Sequence, residues 1–210
     1  MVRAARILPT SAMLHIICRG NNGMRVFHNR QDFTHFLGTL QRFTGKSPLF
    51  IHNYVLMHTH FHLLAWVEDT QKMAKIMKSM LLSYYHYFRK RYAYCGHLWR
   101  GRFRSIHIES EEHWLQCGRY IELNPVYAGI CKKPEEYNWT SYHYYAYGKE
   151  NILLRPIMKI SGLNTNATGQ NGQKNNQDVN ERYQDFVYAG INLEYQIQKK
   201  RFEKGKFNSL

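Results

Sequence analysis

The chain of 210 residues is 44% hydrophobic and 15% aromatic, enough apolar material for a packed core and too much for a disordered segment. Lys and Arg number 29 against 15 Asp and Glu, a formal charge of +14, which favours nucleic acid as partner over an anionic membrane. No run approaches the roughly 18 apolar residues of a membrane span, and the scattered Cys18, Cys95, Cys117 and Cys131 form no C-x-x-C pair for a zinc knuckle or disulfide scaffold. Met1 is followed by Val2-Arg3-Ala4-Ala5-Arg6 without an apolar stretch, so the expectation is a cytoplasmic protein with reduced thiols.

In chain order, Leu14 to Arg19 (LHIICR) reads as a short strand ending in a tight turn at Gly20-Asn21-Asn22-Gly23. Phe33, Phe36, Leu37, Leu40 and Phe43 recur at helical spacing between Arg30 and Phe43, and Lys46-Ser47-Pro48 breaks that helix. Two strand-like runs follow, Leu49 to Met57 and Phe61 to Val67, with His58-Thr59 between them. Met73, Ile76, Met77, Met80, Leu81, Tyr84 and Phe88 mark one face of a long helix over Thr70 to Tyr94.

The segment His97 to Glu109 reads as extended and basic. Ser110 can cap a following helix, whose positive N-terminal end Glu111 and Glu112 suit, and Asn124-Pro125 is expected to stop it. Strand, helix, strand, strand, helix, strand is the split βαβ order. The predicted class is therefore α+β: a ferredoxin-like antiparallel sheet with two helices on one face and an additional helix free for the other. Residues 1–150 form the expected domain and 151–210 an extension. That extension holds an Asn/Gln/Gly-rich linker over Asn164 to Asn180, a short helix from Val179 to Ala189 stopped by Gly190, and a basic end.

Three constellations carry chemistry. In Met57-His58-Thr59-His60-Phe61-His62-Leu63-Leu64, strand periodicity puts His60 and His62 on one face and Phe61 and Leu63 on the other. Two imidazoles so placed suit one metal ion; they also suit an ordinary half-exposed strand, and His58 extends the alternation toward a three-histidine zinc site. In Gly118-Arg119-Tyr120-Ile121-Glu122-Leu123-Asn124-Pro125-Val126, Tyr120 and Asn124 share a helical stripe. A tyrosine can attack phosphorus when a cation offsets the phosphate charge, and an amide oxygen one turn away can complete a hard cation's coordination. The chain has 16 tyrosines, so packing is the plain alternative for any one of them, and Tyr84, Tyr85 and Tyr87 are competing nucleophiles. Finally, an extended Leu98-Trp99-Arg100-Gly101-Arg102-Phe103-Arg104 puts Arg100, Arg102 and Arg104 on one side, suited to a phosphate backbone or to a charge-protected edge strand.

Together the motifs resemble a known family. Arg19-Gly20-Asn21-Asn22 after the first strand, His60-Phe61-His62 followed by Leu-Leu, Gly-His-Leu-Trp-x-x-Arg-Phe at 96 to 103, Tyr-Ile-x-Leu-Asn-Pro-Val at 120 to 126 and Tyr-x-Trp-x-Ser-Tyr at 137 to 142 match, in order and spacing, the REP-associated tyrosine transposases of the single-tyrosine HUH transposase superfamily. The resemblance spans about residues 12 to 148. It implies a bacterial, nucleoid-associated nuclease and strand transferase acting on single-stranded or hairpin DNA. In that reading His60 and His62 bind Mg²⁺ or Mn²⁺, Asn124 is a third ligand or close helper, and Tyr120 is the nucleophile. The implied product is a 5′-phosphotyrosine link with a free 3′-hydroxyl. Arg19, Arg100, Arg102 and Arg104 would contact the DNA, with no membrane partner and a monomer or homodimer as the working unit. The sequence departs from the family in having His58-Thr59 where relatives commonly have Pro-Asn. A non-cleaving hairpin-DNA-binding protein and a zinc hydrolase using His58, His60 and His62 are the competing readings.

Overall fold

The computed structural model describes residues 8–45, 47–155 and 178–191. Its elements run β1 (Ala12–Arg19), α1 (Arg30–Thr44), β2 (Leu49–Met57), β3 (His60–Val67), α2 (Thr70–Tyr92), β4 (Arg104–Ile108), α3 (Glu111–Tyr127) and α4 (Tyr142–Tyr147), followed by a helix over 178–191, here α5. Most of the expected linker and the whole basic end lie outside the described residues.

The sheet has the order β2-β3-β1-β4, with every neighbouring pair antiparallel. Strand alternation divides its side chains. Leu14, Ile16 and Cys18 of β1, with Phe61, Leu63 and Ala65 of β3, join Phe33 and Phe36 of α1 and Met77, Met80 and Tyr84 of α2 in the main core. The opposite side chains, Met13, Val55, Met57 and Leu64, pack with Trp114, Cys117 and Ile121 of α3. Two helices on one face and α3 on the other give the ferredoxin-like arrangement read from the sequence.

The helix starts follow local chemistry. Asn29 and Asp32 form a capping box on α1, Asp69 accepts from the first amides of α2, and Ser110 Oγ accepts from His113 N at α3, with Glu111 and Glu112 in the first turn as expected. The Tyr-x-Trp-x-Ser-Tyr segment covers the outer edge of β2. Leu56 N donates to Trp139 O at 2.9 Å, and Tyr137 Oη donates to Leu56 O at 2.5 Å, so the edge amides are not left open to another chain.

Three expectations are corrected. Pro125 lies inside α3 rather than ending it; a proline in the final turn disturbs only the carbonyl four residues back, and Ala128 N still reaches Asn124 O at 2.9 Å. Gly190 lies within α5, where it allows close packing: a Cβ there would sit 2.8 Å from both Arg119 Cδ and Leu123 Cδ1 of α3. The basic run is not one extended strand. Gly101 takes a φ of 78°, Trp99 is pinned by its indole N–H to Leu81 O at 3.1 Å, and only Arg104 of the three arginines lies on β4.

Candidate active site

Antiparallel register assembles the site at one end of the face that α3 covers. Across β1 and β3, Arg19 lies opposite His60 and Ile17 opposite His62, with His15 two residues further along the same side of β1. The β2–β3 turn brings His60 directly after Thr59, whose Oγ1 lies 2.9 Å from His60 Nδ1. Nδ1 of His62 lies 2.8 Å from His15 Nε2, with the two rings stacked at 5.1 Å. Each strand histidine is therefore oriented through Nδ1. Nε2 of His62 is buried and has no hydrogen-bond partner among the described residues.

From above, α3 presents Tyr120. Its ring centroid is 6.0 Å from that of His62 and 6.2 Å from that of His15, yet the residue keeps 45% of its surface exposed. A phenol against two imidazoles and still open to solvent can meet a large polymeric substrate, which a core tyrosine cannot. Tyr84, by contrast, is fully buried with its hydroxyl donating to Val26 O at 2.6 Å, and Tyr87 donates to the carboxylate of Asp32 at 2.8 Å. One turn after Tyr120, Asn124 commits its Nδ2 to the Tyr120 carbonyl at 2.8 Å, so its Oδ1 is the acceptor end of the amide.

Burial sets the protonation of the pair. It drives His60 down to about 4, assisted by the charge of Arg19. It holds His62 well below the ordinary histidine value, assisted by His15, His60 and Arg19. Both rings are neutral at neutral pH, the form that ligates a metal. Two neutral imidazoles on one strand face suit a borderline divalent ion, while the contact that Asn124 makes is to the Tyr120 carbonyl on its own helix. His58 does not join the two imidazoles: its Nδ1 lies 2.9 Å from Phe27 O and its ring packs against Phe33 of α1, on the other side of the sheet. Among the described residues no three His, Cys, Asp or Glu side chains are grouped to hold a metal.

A model of the family described as "Transposase IS200 like" matches residues 9–124, more than half of the chain. The chain belongs to the IS200-like transposase family. It is also similar to a solved structure of a REP-associated tyrosine transposase bound to a REP hairpin, with a TM-score of 0.55 and 17% identity over 80% of this chain and 100% of that one. No curated protein matches it. The resemblance read from the motifs is thus borne out in family and in fold, and family membership makes this a transposase-type DNA-processing protein. Among the described residues no helix is long and apolar enough to cross a membrane.

Within this family member the expected arginine row is divided. Arg19 stands opposite His60, and Arg104 stands opposite Ile17 on the other side of β1. Arg100 is tied by its backbone N–H to Arg19 O at 2.8 Å. Arg102 instead lines a largely apolar hollow of about 980 Å³ between α2 and the 96–103 loop, beside Lys78, Tyr85 and Trp99.

Sequence reasoning missed His15 and Glu122. Glu122 is fully buried under α3, accepting from Asn53 Nδ2 at 2.9 Å, Ser141 Oγ at 2.6 Å and Tyr183 Oη of α5 at 2.8 Å. Burial raises its carboxyl to about 7 against these three donors. The same carboxylate thus ties the tyrosine helix to β2, to the α4 cap and to α5. Gly118 lets α3 approach β2 this closely, since a Cβ would stand 3.0 Å from Asn53 Oδ1. The available signals were a histidine on the same face of β1 as Arg19 and a carboxylate within an apolar stretch of α3.

Proposed function

We propose that the protein is a divalent-metal-dependent tyrosine endonuclease and strand transferase acting on single-stranded, hairpin-forming DNA, with the chemistry in residues 1–150. The observation that carries this reading is the exposed Tyr120 ring 6.0 Å from His62 in the same chain, on the face where His62 Nε2 has no partner among the described residues. His60 and His62, through Nε2, and Asn124, through Oδ1, would hold Mg²⁺ or Mn²⁺. When bound, such an ion offsets negative charge on a scissile phosphate.

The residues then divide the work. Tyr120 Oη forms a bond to the scissile phosphorus as its phenolic proton leaves to solvent, and the bond from phosphorus to the 3′ oxygen breaks. The products are a 5′-phosphotyrosine and a 3′-hydroxyl, which takes up a proton. One phosphodiester replaces another, so a second 3′-hydroxyl can reverse the exchange and join strands without ATP. Arg19 on β1 and Arg104 on β4 would neutralise the neighbouring phosphates. The similar solved structure carries a REP hairpin, which supports hairpin DNA as the substrate class. Proximity of Tyr120 to the histidines of its own chain supports a site that works in cis within a monomer.

Incubation with end-labelled hairpin oligonucleotides and Mn²⁺, followed by denaturing electrophoresis, tests this. Wild type is expected to give a covalent protein–DNA band, and Tyr120→Phe none. Hairpin binding with no adduct from wild type would replace cleavage with a purely binding role.

A further inference from the structure

A histidine that gives Nε2 to a metal must carry its proton on Nδ1, and that N–H needs an acceptor. For His62 the groups around it leave one candidate. His15 Nε2 lies 2.8 Å from His62 Nδ1, the rings are stacked with an interplanar angle of 27°, and both side chains are buried, His15 at 6% exposure and His62 at 1%. The other nitrogen of His62 has no partner among the described residues. In the antiparallel pair, His62 is opposite Ile17 and His15 is two positions along, so the contact runs diagonally across the strands between same-face side chains.

We infer that His15 is a positioning residue: it accepts the Nδ1–H of His62, fixes that tautomer, and thereby keeps His62 Nε2 as a lone pair for the divalent ion. The inference rests on the nuclease reading of the site and adds to it a residue outside the ligand set. His60 has a different device for the same end, the Thr59 hydroxyl at 2.9 Å from its Nδ1. Imidazole in water favours the Nε2–H form, which would leave His62 with a proton where the metal must bind. Loss of the His15 acceptor is therefore expected to return His62 toward that form. It should weaken metal binding about 10–100-fold, the usual effect of removing such an orienting partner.

The test compares wild type, His15→Leu and His15→Gln, the last able to place an amide oxygen near the position of the lost Nε2. Imidazole ¹H–¹⁵N long-range NMR of the metal-free protein reads the His62 tautomer directly, and Mn²⁺ binding followed by electron paramagnetic resonance reads affinity. Expected are an Nδ1–H His62 in wild type, a shift toward Nε2–H with 10–100-fold weaker Mn²⁺ binding in His15→Leu, and substantial recovery of both in His15→Gln. Unchanged tautomer and affinity in a folded His15→Leu overturn the inference while leaving the nuclease reading in place. Absence of Mn²⁺ binding to wild type that His62→Ala removes would overturn both. Should His15→Leu fail to fold, the wild-type tautomer still decides: an Nε2–H His62 contradicts the inference.

Discussion

The two faces of one four-stranded sheet are built to opposite rules. Toward α1 and α2 the side chains are apolar and aromatic; Phe36 and Phe61 pack with centroids 4.9 Å apart, and Tyr84 sends its hydroxyl to a backbone carbonyl. Toward α3 the same strands present His15, His60 and His62, with a nitrogen of His62 unpartnered among the described residues, and α3 itself brings the buried carboxylate of Glu122. One face maximises burial at low electrostatic cost; the other accepts desolvated titratable groups that a purely structural sheet would avoid. Because strand side chains alternate with period two, one fold supplies both a stable scaffold and a reactive surface held rigidly upon it.

The comparison can be broken most forcefully at the α3 face. His62→Ala is expected to abolish covalent adduct formation while changing unfolding free energy by about 1–2 kcal/mol, since its ring gives up one hydrogen bond, to His15, and edge contacts with His60 and Tyr120. On the other face Phe61→Ala should destabilise the protein by about 3–5 kcal/mol in denaturant titration, leaving the residual folded fraction able to form the adduct. Similar stability losses from both variants would erase the distinction between the faces.

Glu122 sharpens the comparison through pH. Its folded carboxyl is raised to about 7 from the ordinary 4.5, chiefly by burial. The folded chain therefore holds this proton more tightly than the unfolded one, and the stabilisation is full below about 4.5 and lost as pH rises through about 7. Relative to wild type, Glu122→Gln should show a shallower decline of stability with pH across that window, measured by thermal melting in matched buffers. The smallest effect is expected at the surface. Arg104→Ala should reduce the slope of log affinity against log salt for single-stranded DNA by about 0.7, the value for one phosphate contact, with little change in stability.

The scaffold was legible because its signals are local and periodic. Phe33 to Phe43 at helical spacing, the Ser110 cap and the alternation through His60-Phe61-His62 each survive in the structure as read. The proposed pairing of Tyr120 with His62 needed more, since the two are far apart in sequence; helical and strand periodicity set each side chain's face, and the family resemblance supplied their meeting. His15 was illegible because its role depends on a diagonal contact between strands, which no single-segment pattern encodes. Glu122 was overlooked for a related reason: its partners Asn53, Ser141 and Tyr183 come from three other parts of the chain. The arginine row failed because alternation presumes an unbroken strand, and Gly101 with the anchored Trp99 turns the chain instead.

The most direct test of the central claim is the identity of the residue that becomes joined to DNA. After reaction with a hairpin oligonucleotide and nuclease trimming, trypsin cleaves after Arg119 and Lys132 to release a peptide over 120–132, which contains both Tyr120 and Tyr127. Fragmentation by mass spectrometry is predicted to place the phosphonucleotide on Tyr120. A modification on Tyr127, or on any tyrosine of α2, would contradict the account.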